Sequence, residues 1–152
     1  MNDSTSYKRT IQNKQASLSI DLYGGAVTDF HLNNEEKINP LSFAFTKEQM
    51  PDNNKEGAVF QGHFLCLGRW GLPSESEIKA GACDHGQFAN IEWELLEKDK
   101  LCIKMFAKSE LEGLQVKREI KLDEDNVFFK VKETVRILFH WEDYIIWCSI
   151  QH

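Results

Sequence analysis

The run Leu114-Gln-Val-Lys-Arg-Glu-Ile-Lys-Leu122, the polar turn Asp123-Glu-Asp-Asn126 and the return Val127-Phe-Phe-Lys-Val-Lys-Glu-Thr-Val135 decide the fold. Leu114, Val116, Arg118, Ile120 and Leu122 alternate with polar neighbours, the period-two signature of a strand with one face buried. A four-residue polar turn between two such runs makes an antiparallel pair. Upstream, Ile91 to Glu97 and Leu101 to Ala107 flank the short turn Lys98-Asp99-Lys100 and repeat the pattern. Four strands joined by tight turns, with no helix between them, predict antiparallel sheet.

The N-terminal third gives the same reading. Ala16, Leu18, Ile20 and Leu22 alternate with Ser17, Ser19 and Asp21; Gly24-Gly25 breaks the run, Ala26 to Leu32 returns, and Asn33-Asn34-Glu35-Glu36 turns again. This is a β-hairpin of half-buried strands. Residues 1–10 are polar and read as a frayed lead-in. Ile38 to Phe45, with an early proline, reads as a turn entering a short edge strand, and Lys47 to Gly57 as an exposed loop. From Phe60 to His85 the only helix expected is Ser74 to Ala80, where Ser74 caps and Glu75 and Glu77 occupy the first turn.

With 152 residues the chain is one domain long, enough for a real core. Eighteen basic against 24 acidic residues give a net charge of −6, which disfavours nucleic acid and anionic membrane surfaces as partners. Cysteines 66, 83, 102 and 148 include no Cys-x-x-Cys pair and read as reduced, small apolar residues. No apolar run approaches the ~20 residues of a membrane span, and no signal peptide opens the sequence, so a cytoplasmic location is the default expectation. Residues 1–152 are expected to form a single domain. The closing segment Arg136 to His152, rich in Trp, Tyr and Ile, ends without a polar tail, and the chain is expected to be part of a longer architecture.

Candidate chemistry concentrates between Phe60 and Trp93, where Gly62-His63-Phe64, Gly68-Arg69-Trp70-Gly71 and Asp84-His85-Gly86 bring together glycine, basic and aromatic residues. Histidine and arginine can hydrogen-bond hydroxyl and ring oxygens, and an indole can stack on the C–H face of a sugar, so the composition suits a neutral polyhydroxylated ligand. Ordinary loop residues of a β-domain are the alternative. Trp93, flanked by Glu92 and Glu94, reads as a core anchor. His63-x-x-Cys66 and Cys83-x-His85 do not have a common zinc spacing, no phosphate-cradling motif surrounds Gly24-Gly25, and no nucleophile motif is present, so neither metal nor cofactor is expected. His31 and His140 have no supporting neighbours. Acid–base work by His85 is what remains.

In series these motifs resemble the aldose 1-epimerase, or galactose mutarotase-like, family. The points of similarity are Leu18-Ser-Ile-Asp-Leu-Tyr-Gly-Gly-Ala-Val-Thr-Asp-Phe30, then Gly62 to Arg69 with Arg69-Trp-Gly-Leu-Pro-Ser-Glu75, then Asp84-His85-Gly86 and Ile91-Glu-Trp93. The resemblance implies an antiparallel β-sandwich of the galactose mutarotase-like type, incomplete in this chain, with a cleft for an aldose or sugar derivative. It implies substrate contacts from His85 and Arg69 and a general acid at His152 in Gln151-His152; Trp70 and His63 are further candidates for substrate contact. Arg136 to Trp147 departs from the family pattern. The family's glutamate base lies further downstream than this chain extends, which makes weak or absent ring-opening activity the expectation. Two other classes stay open: a non-catalytic carbohydrate-binding domain, and an interaction domain that forms a homo-oligomer through an exposed sheet edge.

Overall fold

The computed structural model describes residues 7–33 and 38–138. Among these, the first three strands are β1 (Lys8–Gln12), β2 (Ala16–Asp21) and β3 (Ala26–Leu32), which form one sheet in the order β1-β2-β3. The other four are β4 (Glu94–Lys98), β5 (Cys102–Ser109), β6 (Leu114–Leu122) and β7 (Phe129–Ile137), which form a second sheet in chain order. Every pairing is antiparallel. The one α-helix among the described residues, α1 (Glu75–Lys79), lies in the long connection between the sheets. The all-β antiparallel architecture expected from the alternation is the one observed.

The two sheets share a core. Ile11, Leu18, Ile20 and Val27 from the first sheet lie in one buried cluster with Ile103, Met105, Val116 and Ile120 from the second, and Phe88 and Trp93 from the connection join them. Two sheets burying their inner faces against each other make a sandwich. Each side chain of this size contributes about 1.5–3 kcal/mol when fully buried, so the alternation itself drives the packing. On β6, Leu114, Val116, Arg118, Ile120 and Leu122 are all buried, while Lys117 and Lys121 are exposed. A polar tie adds to the core at one end: Asn13 Nδ2 donates to the carbonyls of Asp123 (2.7 Å) and Asn126 (3.1 Å), joining the β1–β2 turn to the β6–β7 turn.

Five local expectations are corrected. Residues 8–12 are not lead-in but an edge strand: Ile11 is buried in the core and the backbone pairs with β2. Its low apolar content hid it, as is common for charged edge strands. β2 is buried on both faces, not one; Ser17 and Ser19 tolerate this because their hydroxyls bond Asn33 Oδ1 (2.6 Å) and Thr10 Oγ1 (2.9 Å). Ile38 to Phe45 forms no strand, only an isolated bridge between Ala44 and Gln61. Within 47–57 two 3-10 turns replace open loop, and Asn54 is 1% exposed. His31, thought to lack neighbours, has Asp29 Oδ2 at 2.8 Å from its Nδ1, because residues two apart on a strand share a face.

Candidate functional site

The connection from Phe60 to Trp93 is irregular yet well anchored. Gly62 N–H donates to Phe43 O, and Phe45 N–H to Phe60 O, each at 2.8 Å. A small second core of Met50, Phe60 and Ala89, with Phe45, Val59 and Phe64 against it, fills the space beneath. Trp93 is 1% exposed and donates its Nε1–H to Phe88 O at 2.9 Å, so it is the core anchor its neighbours suggested. The helix also forms where expected: Ser74 caps α1, its backbone N–H donating to Glu77 Oε2 at 2.7 Å in a reciprocal capping box.

His85 sits on this platform with φ = 60°, the one non-glycine residue with positive φ among those described. For a residue with a Cβ that conformation costs about 1–2 kcal/mol, so its surroundings must hold it. They do so through buried amides. Asn54 Oδ1 accepts Asp84 N–H (3.0 Å), Asn54 Nδ2 donates to Asp84 O (3.2 Å) and Asn90 Oδ1 (2.6 Å), and Asn90 Nδ2 donates to Gly86 O (2.9 Å). The imidazole lies edge-on to Phe60 (5.0 Å), Phe64 (5.7 Å) and Trp70 (5.5 Å). Its Nδ1 is buried and has no hydrogen-bond partner among the described residues, while Trp70 is 82% exposed. The imidazole thus packs against an exposed indole and keeps a buried nitrogen without a partner among the described residues.

Arg69 is committed elsewhere. Its NH2 pairs with Glu77 Oε1 of α1, and its NH1 donates to Leu72 O at 3.4 Å. Beside it opens a cleft of about 210 Å³, lined by Arg69, Glu77, Cys83, Leu111 and Glu112 among others. Glu112 was not singled out from sequence, where it looks like one more acid in a turn. Its Oε1 accepts Gln87 N–H at 2.8 Å, which ties down the backbone two residues after His85. Burial raises its carboxyl pKa, opposed by the Gln87 and Ser109 hydrogen bonds and by Arg69; Oε2 is buried without a partner.

His63 belongs to a different constellation. Its backbone exchanges hydrogen bonds with Val27 of β3 (2.9 and 3.0 Å), and its Nδ1 lies 2.9 Å from NH2 of Arg118. Arg118, on β6, has no exposed area at all; its NH1 donates to Gly25 O at 2.6 Å and its Nε is 3.2 Å from Glu133 Oε1, without hydrogen-bond alignment. Glu133 is its partner across the β6–β7 register. Burial lowers the pKa of Arg118 against the pull of Glu133, yet an arginine starts high enough to stay charged. His63 is pushed down by burial first and by the Arg118 charge second, with Glu133 and its own backbone acting the other way. The residue is exposed as a whole; the desolvation concerns the edge turned onto Arg118.

The structure therefore brings His85 and Trp70 together, places Arg69 on Glu77 nearby, and holds His63 on Arg118. His152, expected as general acid, lies outside the described residues, as do Gln151 and the segment from Phe139 onward. Among the described residues no three His, Cys, Asp or Glu side chains are placed to hold a metal ion, and no helix is long and apolar enough to cross a membrane. His63, Cys66, Cys83 and His85 are not gathered into one ligand set; Cys83 Sγ instead faces Asn53 O at 3.4 Å.

No family model and no curated protein matches the sequence. A solved structure does match: the Salmonella typhimurium protein YeaD, described as a "putative mutarotase", with a TM-score of 0.49 and 17% identity. The match covers 76% of this chain and 39% of that one. The fold assignment stands on the strand registers and the shared core described above.

Proposed function

We propose that the chain binds an aldose or a related sugar derivative, with Trp70 stacking on the sugar's C–H face and His85 hydrogen-bonding a hydroxyl or ring oxygen. The observation that carries this reading is His85 itself: a histidine kept at positive φ by a buried amide network, its ring packed against the exposed Trp70 and its Nδ1 without a hydrogen-bond partner among the described residues. Strained backbone of that kind is retained where the surroundings over-determine it, and such places are enriched at ligand sites. His63 contributes from its own mount, and Arg69 would join only on leaving Glu77. Binding is proposed ahead of catalysis. Ring opening needs an acid and a base on the same sugar, and this reading assigns only stacking and hydrogen-bonding contacts.

Titration with glucose and galactose, followed by amide NMR shifts and Trp fluorescence, tests this. Saturable shifts at residues 63–70 and 84–86 are expected, with about tenfold weaker binding in His85→Asn, the value of one hydrogen bond of ~1.4 kcal/mol. Asparagine tolerates positive φ, so this variant removes the ring with little effect on the loop. Absence of saturable shifts, or unchanged affinity in His85→Asn, refutes the reading. An NMR anomer-exchange assay run alongside is expected to show little acceleration; a large one abolished by His85→Asn would make the protein an epimerase. A second reading has its own observation. On β7, which has no strand on its far side among the described residues, Val135 and Ile137 are 40% and 59% exposed, so self-association along that edge is expected to show in mass-resolved chromatography and to be lost in Ile137→Lys.

A further inference from the structure

The most unusual side chain in the sandwich is not in the connection but on β6. Arg118 occupies an inward position of an otherwise apolar face, fully buried, and removing a guanidinium from water carries a desolvation penalty of several kcal/mol. Glu133, directly opposite on β7, offsets part of that cost. Stability alone gives no reason for the pair, since an apolar pair of similar volume would pack as well or better. What the arginine does is reach across the core from the second sheet to the β2–β3 turn and to the connection: NH1 to Gly25 O, NH2 to His63 Nδ1.

Arginine has only donors, so the NH2 contact at 2.9 Å makes Nδ1 of His63 the acceptor. A neutral imidazole that accepts at Nδ1 carries its proton on Nε2, and the residue as a whole is exposed. Burial and the adjacent guanidinium both favour the neutral ring. The paired backbone hydrogen bonds to Val27 fix the residue from the other side.

We propose that Arg118 is a positioning residue that locks His63 as an Nε2–H donor for an oxygen atom of the ligand, Glu133 being the counter-charge that lets the arginine sit there. This rests on the sugar-binding reading for the identity of the ligand, and on the structure of the free protein for everything else. A hydroxyl or ring oxygen of a neutral sugar suits such a donor, whereas a cationic ligand does not, because Arg118 already supplies positive charge behind the ring.

The test uses the whole chain labelled with ¹⁵N at histidine. In the free protein, two-bond ¹H–¹⁵N spectra are expected to show His63 in a single Nε2–H form at neutral pH. Arg118→Met should release it to a mixture of tautomers with an upward-shifted titration. Glu133→Gln, which keeps the arginine and removes the charge opposing it, should move the titration the other way. Glucose affinity should fall several-fold in Arg118→Met and by a similar factor in His63→Phe. If Arg118→Met fails to fold, the wild-type tautomer and the sign of the Glu133→Gln shift still decide. Finding His63 protonated at Nδ1, or an upward shift in Glu133→Gln, overturns the proposal. A lack of any sugar binding together with the expected tautomer and shifts refutes the sugar reading and leaves the positioning role standing.

Discussion

Substituting Gly86 by alanine probes the backbone that presents His85. Gly86 has φ = +83°, and a Cβ built there would stand 2.1 Å from the Leu67 carbonyl oxygen. Ordinary van der Waals contact begins near 3.4 Å, so one of the two segments must move by more than about 1 Å, and backbone moves reluctantly in a packed interior. If the 85–87 segment gives way, it strains Gln87 N–H to Glu112 Oε1 (2.8 Å) and Asn90 Nδ2 to Gly86 O (2.9 Å). Two hydrogen bonds at about 1 kcal/mol each, plus roughly 1–3 kcal/mol for a residue with a Cβ at this φ and at ψ = 170°, a region essentially confined to glycine, total about 3–5 kcal/mol. At ~2–4 °C per kcal/mol for a domain of this size, Tm should fall by about 10 °C. Gly71→Ala isolates the conformational part: φ there is +92°, and nothing lies within 4 Å of the added carbon. It should lose about 1–2 kcal/mol and no more. Urea titrations of both variants, with m-values checked for constancy, decide the matter. A Gly86→Ala loss within about 0.5 kcal/mol of the Gly71→Ala loss would show that the clash is relieved freely and that the His85 loop is not pinned.

Trp93→Ala removes the largest fully buried side chain among the described residues and orphans Phe88 O; a loss of about 3–5 kcal/mol in urea unfolding is expected, and a loss under ~1 kcal/mol would mean that it does not anchor the core. Glu112 has a carboxyl pKa raised chiefly by burial. A carboxyl raised on folding favours the folded state below its unfolded pKa, and that contribution is lost as pH rises through the folded value. Glu112→Gln keeps an oxygen for the Gln87 amide while removing the charge, so its stability relative to wild type should improve from acid to neutral pH. Parallel stability–pH curves would refute this. His63, lowered on folding by burial and Arg118, contributes the opposite slope: its stabilising share is full above the ordinary histidine pKa and lost as pH falls through the folded value. His63→Phe should flatten that part of the curve.

Much of the sandwich is legible because β5, β6 and β7 repeat a strict two-residue alternation between short polar turns, and only antiparallel pairing buries such faces together. The helix at Glu75–Lys79 is legible through its capping serine and Glu77. β1 is not, because an edge strand with one buried residue, Ile11, carries almost no periodic signal. Ile38 to Phe45 misleads for the opposite reason: its aromatics alternate, yet they pack as a satellite cluster around Phe60 instead of entering a sheet. At the site, sequence proximity brings out His85 and Trp70, which do meet. It cannot reveal that Glu112 closes on Gln87 from 25 residues away, or that Arg69 is held by Glu77.

Arg118 is the instructive case, since its signal is present in the opening stretch. An arginine in the inward phase of Leu114-x-Val116-x-Arg118-x-Ile120-x-Leu122 either faces out through a register slip or is buried with a partner. The alternation excludes the slip, because shifting one residue would bury Lys117 and Lys121 and expose four apolar side chains. The same phase on β7 runs Phe129, Val131, Glu133, Val135, Ile137, and antiparallel register sets Glu133 opposite Arg118. An opposite-charge pair at matched inward positions, with the arginine buried and Glu133 half-buried, can thus be inferred from alternation. Its third member cannot, because His63 arrives from an irregular connection, held by one bridge to Val27. The charge pair is written into the regular part of the fold and the imidazole it orients into the irregular part, so the exposed edge of His63 inherits its direction from a sheet it does not belong to.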